Sequence, residues 1–197
     1  MSPSCFRDFV AKTQRRFVVI SGLPGSGKTT IGRALGPLLR LTLIDKDDIL
    51  EHLYETCGVG DTGWRRTLSR DADLILRRDA TASDGAVLVS LWRVPGMSED
   101  SGTPIDWIPA LSDHIVHLRC VCDPGIAARR FTSRTRHPGH LDASRSLDEI
   151  AASIRALATL PPPEIRTRID VDTSAAYDVA KVVQRISDTW PAQNATG

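Results

Sequence analysis

No run in the sequence approaches the about 20 consecutive apolar residues that a membrane span requires, and the first residues lack the apolar core of a secretion signal. Neither a membrane role nor export is expected, and the chain reads as cytoplasmic. Cysteine is sparse: Cys5, Cys57, Cys120 and Cys122 show no zinc-ligand spacing and read as buried or idle thiols of a reducing compartment. Charge of one sign is also missing. A formal net charge of +1 lacks the basic balance of a nucleic-acid binder, so no nucleic-acid partner is expected. Asparagine is nearly absent. A regulatory GTPase needs a guanine-reading Asn-Lys-x-Asp after a strand, and Asn194 is the only asparagine in the chain. Its match to a glycosylation acceptor carries no meaning without a secretion signal.

What is present fits one filled domain. With 197 residues and 41% hydrophobic content, the chain is long enough for a single α/β domain and short for two. We expect a solvated N-terminal arm over 1–15, one domain over 16–190 and a tail over 191–197. Apolar strand-like runs at Phe17–Ile20, Leu41–Ile44, Ala86–Trp92, Ile115–Val121 and Arg168–Asp172 alternate with helical periodicity. The helices are expected at Lys28 onward with a kink or end at Pro37, from Ile49 to near Gly58, and over Trp64–Ala82. Others should start after Asp123-Pro124 and span Ser146–Leu160 and Ala175–Thr189. Strands alternating with helices imply a parallel five-stranded sheet with helices on both faces, a three-layer α/β fold. The polar segment Arg93–Pro104 is too long for a simple turn and is a candidate binding loop.

The most informative stretch joins the first strand to the first helix: Gly22-Leu23-Pro24-Gly25-Ser26-Gly27-Lys28-Thr29-Thr30. Gly22, Gly27, Lys28 and Thr29 fill the fixed positions of GxxxxGK(S/T). Glycines at 22, 25 and 27 let successive backbone N–H groups turn inward on phosphate oxygens, and the helix adds the positive end of its dipole. Lys28 is placed to reach the β- and γ-phosphates. The Thr29 hydroxyl is placed to ligate Mg²⁺. The loop therefore points to ATP and Mg²⁺ as ligands, with residues 22–30 holding the nucleotide.

The order of features resembles the small P-loop kinases: phosphate loop first, Lys46-Asp47-Asp48-Ile49 closing the second strand, and an arginine-rich helix after the fourth. Within that group it is similar to the broad family of the phage polynucleotide kinase domain, the zeta-toxin kinases and chloramphenicol phosphotransferase. The resemblance runs from Phe17 to Thr189. It implies a P-loop NTPase fold with a small helical lid. It also implies that Asp47 is the acceptor-side aspartate, which orients or deprotonates the acceptor hydroxyl, although Asp45, Asp47 and Asp48 also read as a solvated cluster capping the next helix. Arg130, Arg134 and Arg136 match the family's lid arginines. Arg130 and Arg134 stand four apart, so a continuing helix would put both on one face and toward phosphate. Arg136, Trp92 and Arg93 fall where the acceptor pocket opens, although a tryptophan at 92 reads equally as core or as a platform for a flat or hydrophobic substrate.

The departures from the family matter as well. Ser90 stands where many relatives carry an aspartate that supports the metal through water, so that support is lighter or comes from Asp45, Asp47 or Asp48. Leu50 replaces the basic residue with which polynucleotide kinases grip the acceptor's phosphate, which argues against a nucleic-acid end. His137 and His140 flank a Pro-Gly turn without an apparent third metal ligand, and a lid-hinge or acceptor-pocket role suits them better. Lid arginines and an acceptor-side acid in one domain, without added oligomerisation segments, favour a kinase acting on a small-molecule hydroxyl. The alternative is a non-kinase P-loop ATPase or a nucleotide-binding regulatory module.

Overall fold

A computed structural model of the protein describes residues 15–142 and 145–191. The expected arm and tail, apart from Arg15 and Pro191, and Cys5 with them, lie outside the described residues. Five strands form one sheet: β1 (Arg16–Gly22), β2 (Thr42–Asp45), β3 (Gly85–Val89), β4 (His114–Val121) and β5 (Arg168–Asp172). Their order is β2-β3-β1-β4-β5, and every pairing is parallel. Among the described residues six α-helices flank the sheet: α1 (Lys28–Leu39), α2 (Lys46–Cys57), α3 (Thr62–Ala82), α4 (Pro124–Ser133), α5 (Leu147–Ala158) and α6 (Val179–Ser187).

β1 is an unbroken apolar run because both of its sides are covered. Val18 and Ile20 face Ile31 and Leu35 of α1 and Val182 and Ile186 of α6. Phe17 and Val19 face Leu76 and Ala80 of α3 together with Trp107 and Ile108. The chain leaves β1 toward β2 and β3, then returns past it to β4 and β5. That reversal opens a crevice at the carboxyl ends of the central strands, where parallel α/β sheets bind ligands.

Several boundaries differ from the sequence expectation, each for a local reason. α1 runs two residues past Pro37 and closes on Arg40, which takes the left-handed conformation at φ 56°. α2 follows β2 with no loop, because the Asp45 side chain accepts from Asp47 N and caps the helix. β3 stops at Val89 instead of reaching Trp92: the backbone of Leu91 and Arg93 pairs with Thr103 instead, closing the base of the loop that follows. α6 starts later than expected, at the Asp178 cap. Arg15 is not solvated as an arm residue would be: its guanidinium donates to the carbonyls of Thr81, Ser83 and Leu111. Cys120 and Cys122 are buried and Cys57 is exposed, all three free. Among the described residues no helix is long and apolar enough to cross a membrane.

Candidate active site

A cleft of about 750 Å³ opens at the carboxyl ends of β1, β2 and β3. Its floor is the turn between β1 and α1. Gly25 adopts φ 79° there, and a Cβ on it would stand 2.1 Å from the carbonyl oxygen of Ala127 in α4. The turn is thus pressed against the next crossover helix. Gly27, at φ 90°, caps the start of α1 so that the first free N–H groups of the helix face the cleft. Pro24, Gly25, Gly27, Lys28, Thr29 and Thr30 line it. Gly22 and Leu23 instead line a second cavity of about 220 Å³ behind the turn, and Ser26 is wholly buried.

Lys28 Nζ donates to the carbonyls of Gly22 (2.9 Å) and Leu23 (3.0 Å). Burial lowers its pKa, while the carboxylates of Asp47 and Asp45 favour the charged form. Thr29 Oγ1 donates to Asp45 Oδ2 at 2.6 Å. Burial pushes the Asp45 carboxyl up to about 6, against the Thr29 hydrogen bond. A hydroxyl and a carboxylate in contact beside a phosphate loop form an all-oxygen donor set suited to Mg²⁺. Asp45 thus supplies an acid near Thr29 where Ser90 supplies none; the Ser90 hydroxyl pairs with Thr103 Oγ1 at 2.5 Å.

Asp47 lines the same cleft as Lys28, and its carboxylate is the charge that most favours the Lys28 ammonium. Its Oδ2 accepts from Arg136 Nη2 at 2.9 Å, and Arg136 Nη1 donates to Asp142 Oδ2 at 2.5 Å. Burial alone would raise the Asp47 pKa, but Arg136, His140, Lys28 and Arg134 together hold it below its ordinary value. Asp47 is half exposed toward the cleft, whereas the Arg136 side chain is 14% exposed. Asp48 points away, into an exposed pair with Arg33 at 3.0 Å.

The arginines do not stand as the helical spacing suggested. α4 ends at Ser133, and Arg134 has extended backbone at φ −94°, ψ 141°. The helix therefore does not align Arg130 with Arg134. Arg130 turns away, donating to the carbonyls of Thr173 (2.6 Å) and Ser174 (2.9 Å), and it does not line the cleft. Arg134 and Arg136 do line it. Their guanidiniums lie 5.3 and 5.2 Å from the centroid of the Phe131 ring.

Trp92 and Arg93 are likewise not in the cleft. Trp92 is 2% exposed, sits in the core beside Trp107 and donates from Nε1 to Ile20 O at 2.7 Å. Arg93 is spent on its own loop, donating to the carbonyls of Ser101 and Gly102. That loop contributes Gly96, Met97, Ser98 and Asp100 to the cleft wall.

Sequence reasoning missed Arg65, at the start of α3, which lines the cleft with its Nε buried and unpartnered among the described residues. It also missed Asp142 and Glu51. The only local signal for Arg65 was the glycine-rich loop before it. Among the described residues no cluster of three or more metal-binding side chains occurs, at His137 and His140 or elsewhere.

The sheet order and the loop–cleft geometry are those of a P-loop NTPase fold of the small-kinase kind. A family profile described as "Shikimate kinase" matches residues 24–57. A shikimate kinase of Corynebacterium jeikeium is 37% identical over 122 residues, 60% of this chain and 60% of that enzyme. The match to a Corynebacterium glutamicum shikimate kinase, also 37% identical, covers 36% and 42%. The chain thus spans less than two thirds of the curated relatives it matches. Among solved structures, a Chloroflexus aurantiacus protein with the provisional description of kinase superposes with a TM-score of 0.77 at 25% identity, covering 91% of this chain and all of that one. The Bacteroides thetaiotaomicron shikimate kinase shares the fold, at a TM-score of 0.56 and 20% identity over 88% of this chain and 97% of its own. These comparisons support the broad small P-loop kinase class and do not single out the polynucleotide kinase, zeta-toxin or chloramphenicol phosphotransferase kin that the motifs suggested.

Proposed function

We propose that the protein is an ATP-dependent kinase that transfers the γ-phosphoryl group to a hydroxyl of a small molecule. One observation carries this reading. A single cleft holds both the phosphate loop with Lys28 and a carboxylate, Asp47, clamped by Arg136. A module that only bound or hydrolysed nucleotide would have no use for the second half. The likeness to shikimate kinases, which the alignments limit to part of the chain, supports the same reading.

In the proposed reaction the loop N–H groups and Lys28 hold the β- and γ-phosphates. Thr29 and Asp45 would hold Mg²⁺, which when bound neutralises charge on the phosphate oxygens. Asp47 accepts a hydrogen bond from the acceptor hydroxyl and aims its oxygen at the γ-phosphorus. Arg136 already occupies Oδ2, so Oδ1 is the oxygen that meets the acceptor. A carboxylate held below its ordinary pKa is a weak base. That suits a loose transition state, in which the acceptor proton leaves late and orientation matters more than abstraction. The new P–O bond forms to the acceptor, the bond to ADP breaks, and Asp47 takes the proton. Arg134, unpaired by any carboxylate among the described residues, adds positive charge on the transferring group.

The test is incubation with ATP and Mg²⁺ against pooled sugars, sugar acids, nucleosides, shikimate and hydroxylated antibiotics, read by mass spectrometry for gain of one phosphoryl group. Phosphorylation of a compound in the pool is expected. ATP hydrolysis that no pool alters and that Asp47→Asn leaves intact would replace the kinase reading with that of an ATPase.

A further inference from the structure

α2 presents two carboxylates one turn apart, Asp47 and Glu51. The segment after α4 meets them with two basic side chains four residues apart, Arg136 and His140. Asp47 Oδ2 takes Arg136 Nη2 at 2.9 Å, and Glu51 Oε1 lies 3.0 Å from His140 Nε2. The His140 end of the second rung is buried, its side chain 1% exposed, while the Glu51 side chain is 39% exposed. It is also held in one register. Tyr54 of α2 stacks on His137 at 5.3 Å and meets His140 edge-on at 5.5 Å, and a Cβ on Gly139 would lie 2.4 Å from the Tyr54 ring.

The hydrogen-bond chemistry fixes the tautomer. Glu51 can only accept, so Nε2 carries the hydrogen, and Nδ1 is the bare lone pair that has no partner among the described residues. Burial, then Arg136, lowers the ring's pKa below its ordinary value, against the pull of Asp47 and Glu51. A protonated Nε2 cannot accept from Arg136, whose Nη2 stands 3.4 Å away. The Arg136 donors are left to Asp47 and Asp142.

We propose that the Glu51–His140 pair is a positioning element for phosphoryl transfer. It fixes Arg136 in the pose that clamps Asp47 Oδ2, so that the remaining oxygen of Asp47 faces the acceptor. This rests on the kinase reading above. The pair touches neither nucleotide nor acceptor and acts through Arg136, by setting in advance a geometry that the reaction would otherwise have to find.

The test uses His140→Leu and Glu51→Leu, which delete the rung, and His140→Gln and Glu51→Gln, which keep a donor and an acceptor near the original atoms. Turnover is measured with ATP and the pool compound phosphorylated fastest by the unaltered enzyme. The Arg136 side-chain signal is followed by ¹⁵N NMR in arginine-labelled protein, assigned through Arg136→Lys. The leucine variants should lose at least tenfold in kcat, hold KM for ATP within about twofold and lose the protected Arg136 signal. Both glutamine variants should recover at least a third of the turnover. The double leucine variant should be no worse than either single one, since the two residues form one unit. If the unaltered enzyme is active and the leucine variants keep either their turnover or a locked Arg136, the inference is overturned alone. An unaltered enzyme that phosphorylates nothing overturns the kinase reading and this inference with it.

Discussion

Lys28 is a single positive charge at the point where the phosphate loop becomes helix, and it is the one cationic side chain of the loop, beside the hydroxyls of Thr29 and Thr30. Lys28→Met keeps its length and removes its charge, so turnover should fall roughly a hundredfold or more in a steady-state assay. Asp47→Asn should leave the ATP dissociation constant within about threefold while abolishing transfer. Asp48→Asn breaks only the exposed pair with Arg33 and should cost little. Kinetics and ATP titration of the two variants distinguish an acceptor-side role from a capping one. Arg134→Ala should lower turnover at least about tenfold without changing the ligand-free melting temperature, and Arg134→Lys should restore only part of it. An Arg134→Ala protein that melts early with intact turnover would make the arginine structural. The loop residues were legible because their spacing alone makes the phosphate cradle. Arg136 was readable only as one of several arginines, since its partner Asp47 lies 89 positions away. Trp92 was misplaced because a tryptophan after a strand looks the same whether it faces the core or a ligand.

Elements were legible in kind and less so in extent. The capping residues Asp123 and Ser146 stand at the starts of α4 and α5 as their sequence signals indicated. The end of α4 was not legible: Thr132 and Ser133 hydroxyls bond back to carbonyls of the last turn, and the backbone then extends at Arg134. That single step sends Arg130 to the β5 end and Arg134 to the cleft. The phosphate turn also depends on an element that its own motif does not include. Gly25→Ala would drive a Cβ into the backbone of α4 from a positive-φ position, with no flexible side chain able to yield. Denaturant titration should show a loss of roughly 1–3 kcal/mol, together with weakened ATP binding. A variant of unchanged stability would mean that the turn and α4 separate without penalty.

For the molecule as a whole, the alternation of strands and helices foretold a parallel sheet, but the strand order follows from packing across the whole chain. The same packing buries His117 on β4 against Ser21, with Nε2 2.6 Å from the hydroxyl and no exposed surface. Burial, then Arg168, depresses its pKa from 6.5 to about 4. Between those values the unfolded chain binds the extra proton. The contribution of His117 to stability is therefore full above pH 6.5 and is lost as pH falls toward 4, by about 3 kcal/mol at most. Melting curves across that range should be visibly flatter for His117→Gln than for the unaltered protein. The loop from Arg93 to Gly102 hangs from a base that is almost one point. Thr103 pairs with the backbone of Leu91 and Arg93 and with the Ser90 hydroxyl, and Trp92 is pinned to Ile20, two residues before the phosphate turn. Between these posts the loop is tied down by buried Val94, by Arg93 and by the Asp100–Arg70 pair, and Gly96, Met97 and Ser98 form part of one wall of the cleft. Such a loop can vary at its cleft-facing residues Met97 and Ser98 while its ends stay in place. If the kinase reading proposed above holds, exchanging a handful of residues on this base would change the acceptor and leave the phosphate turn untouched.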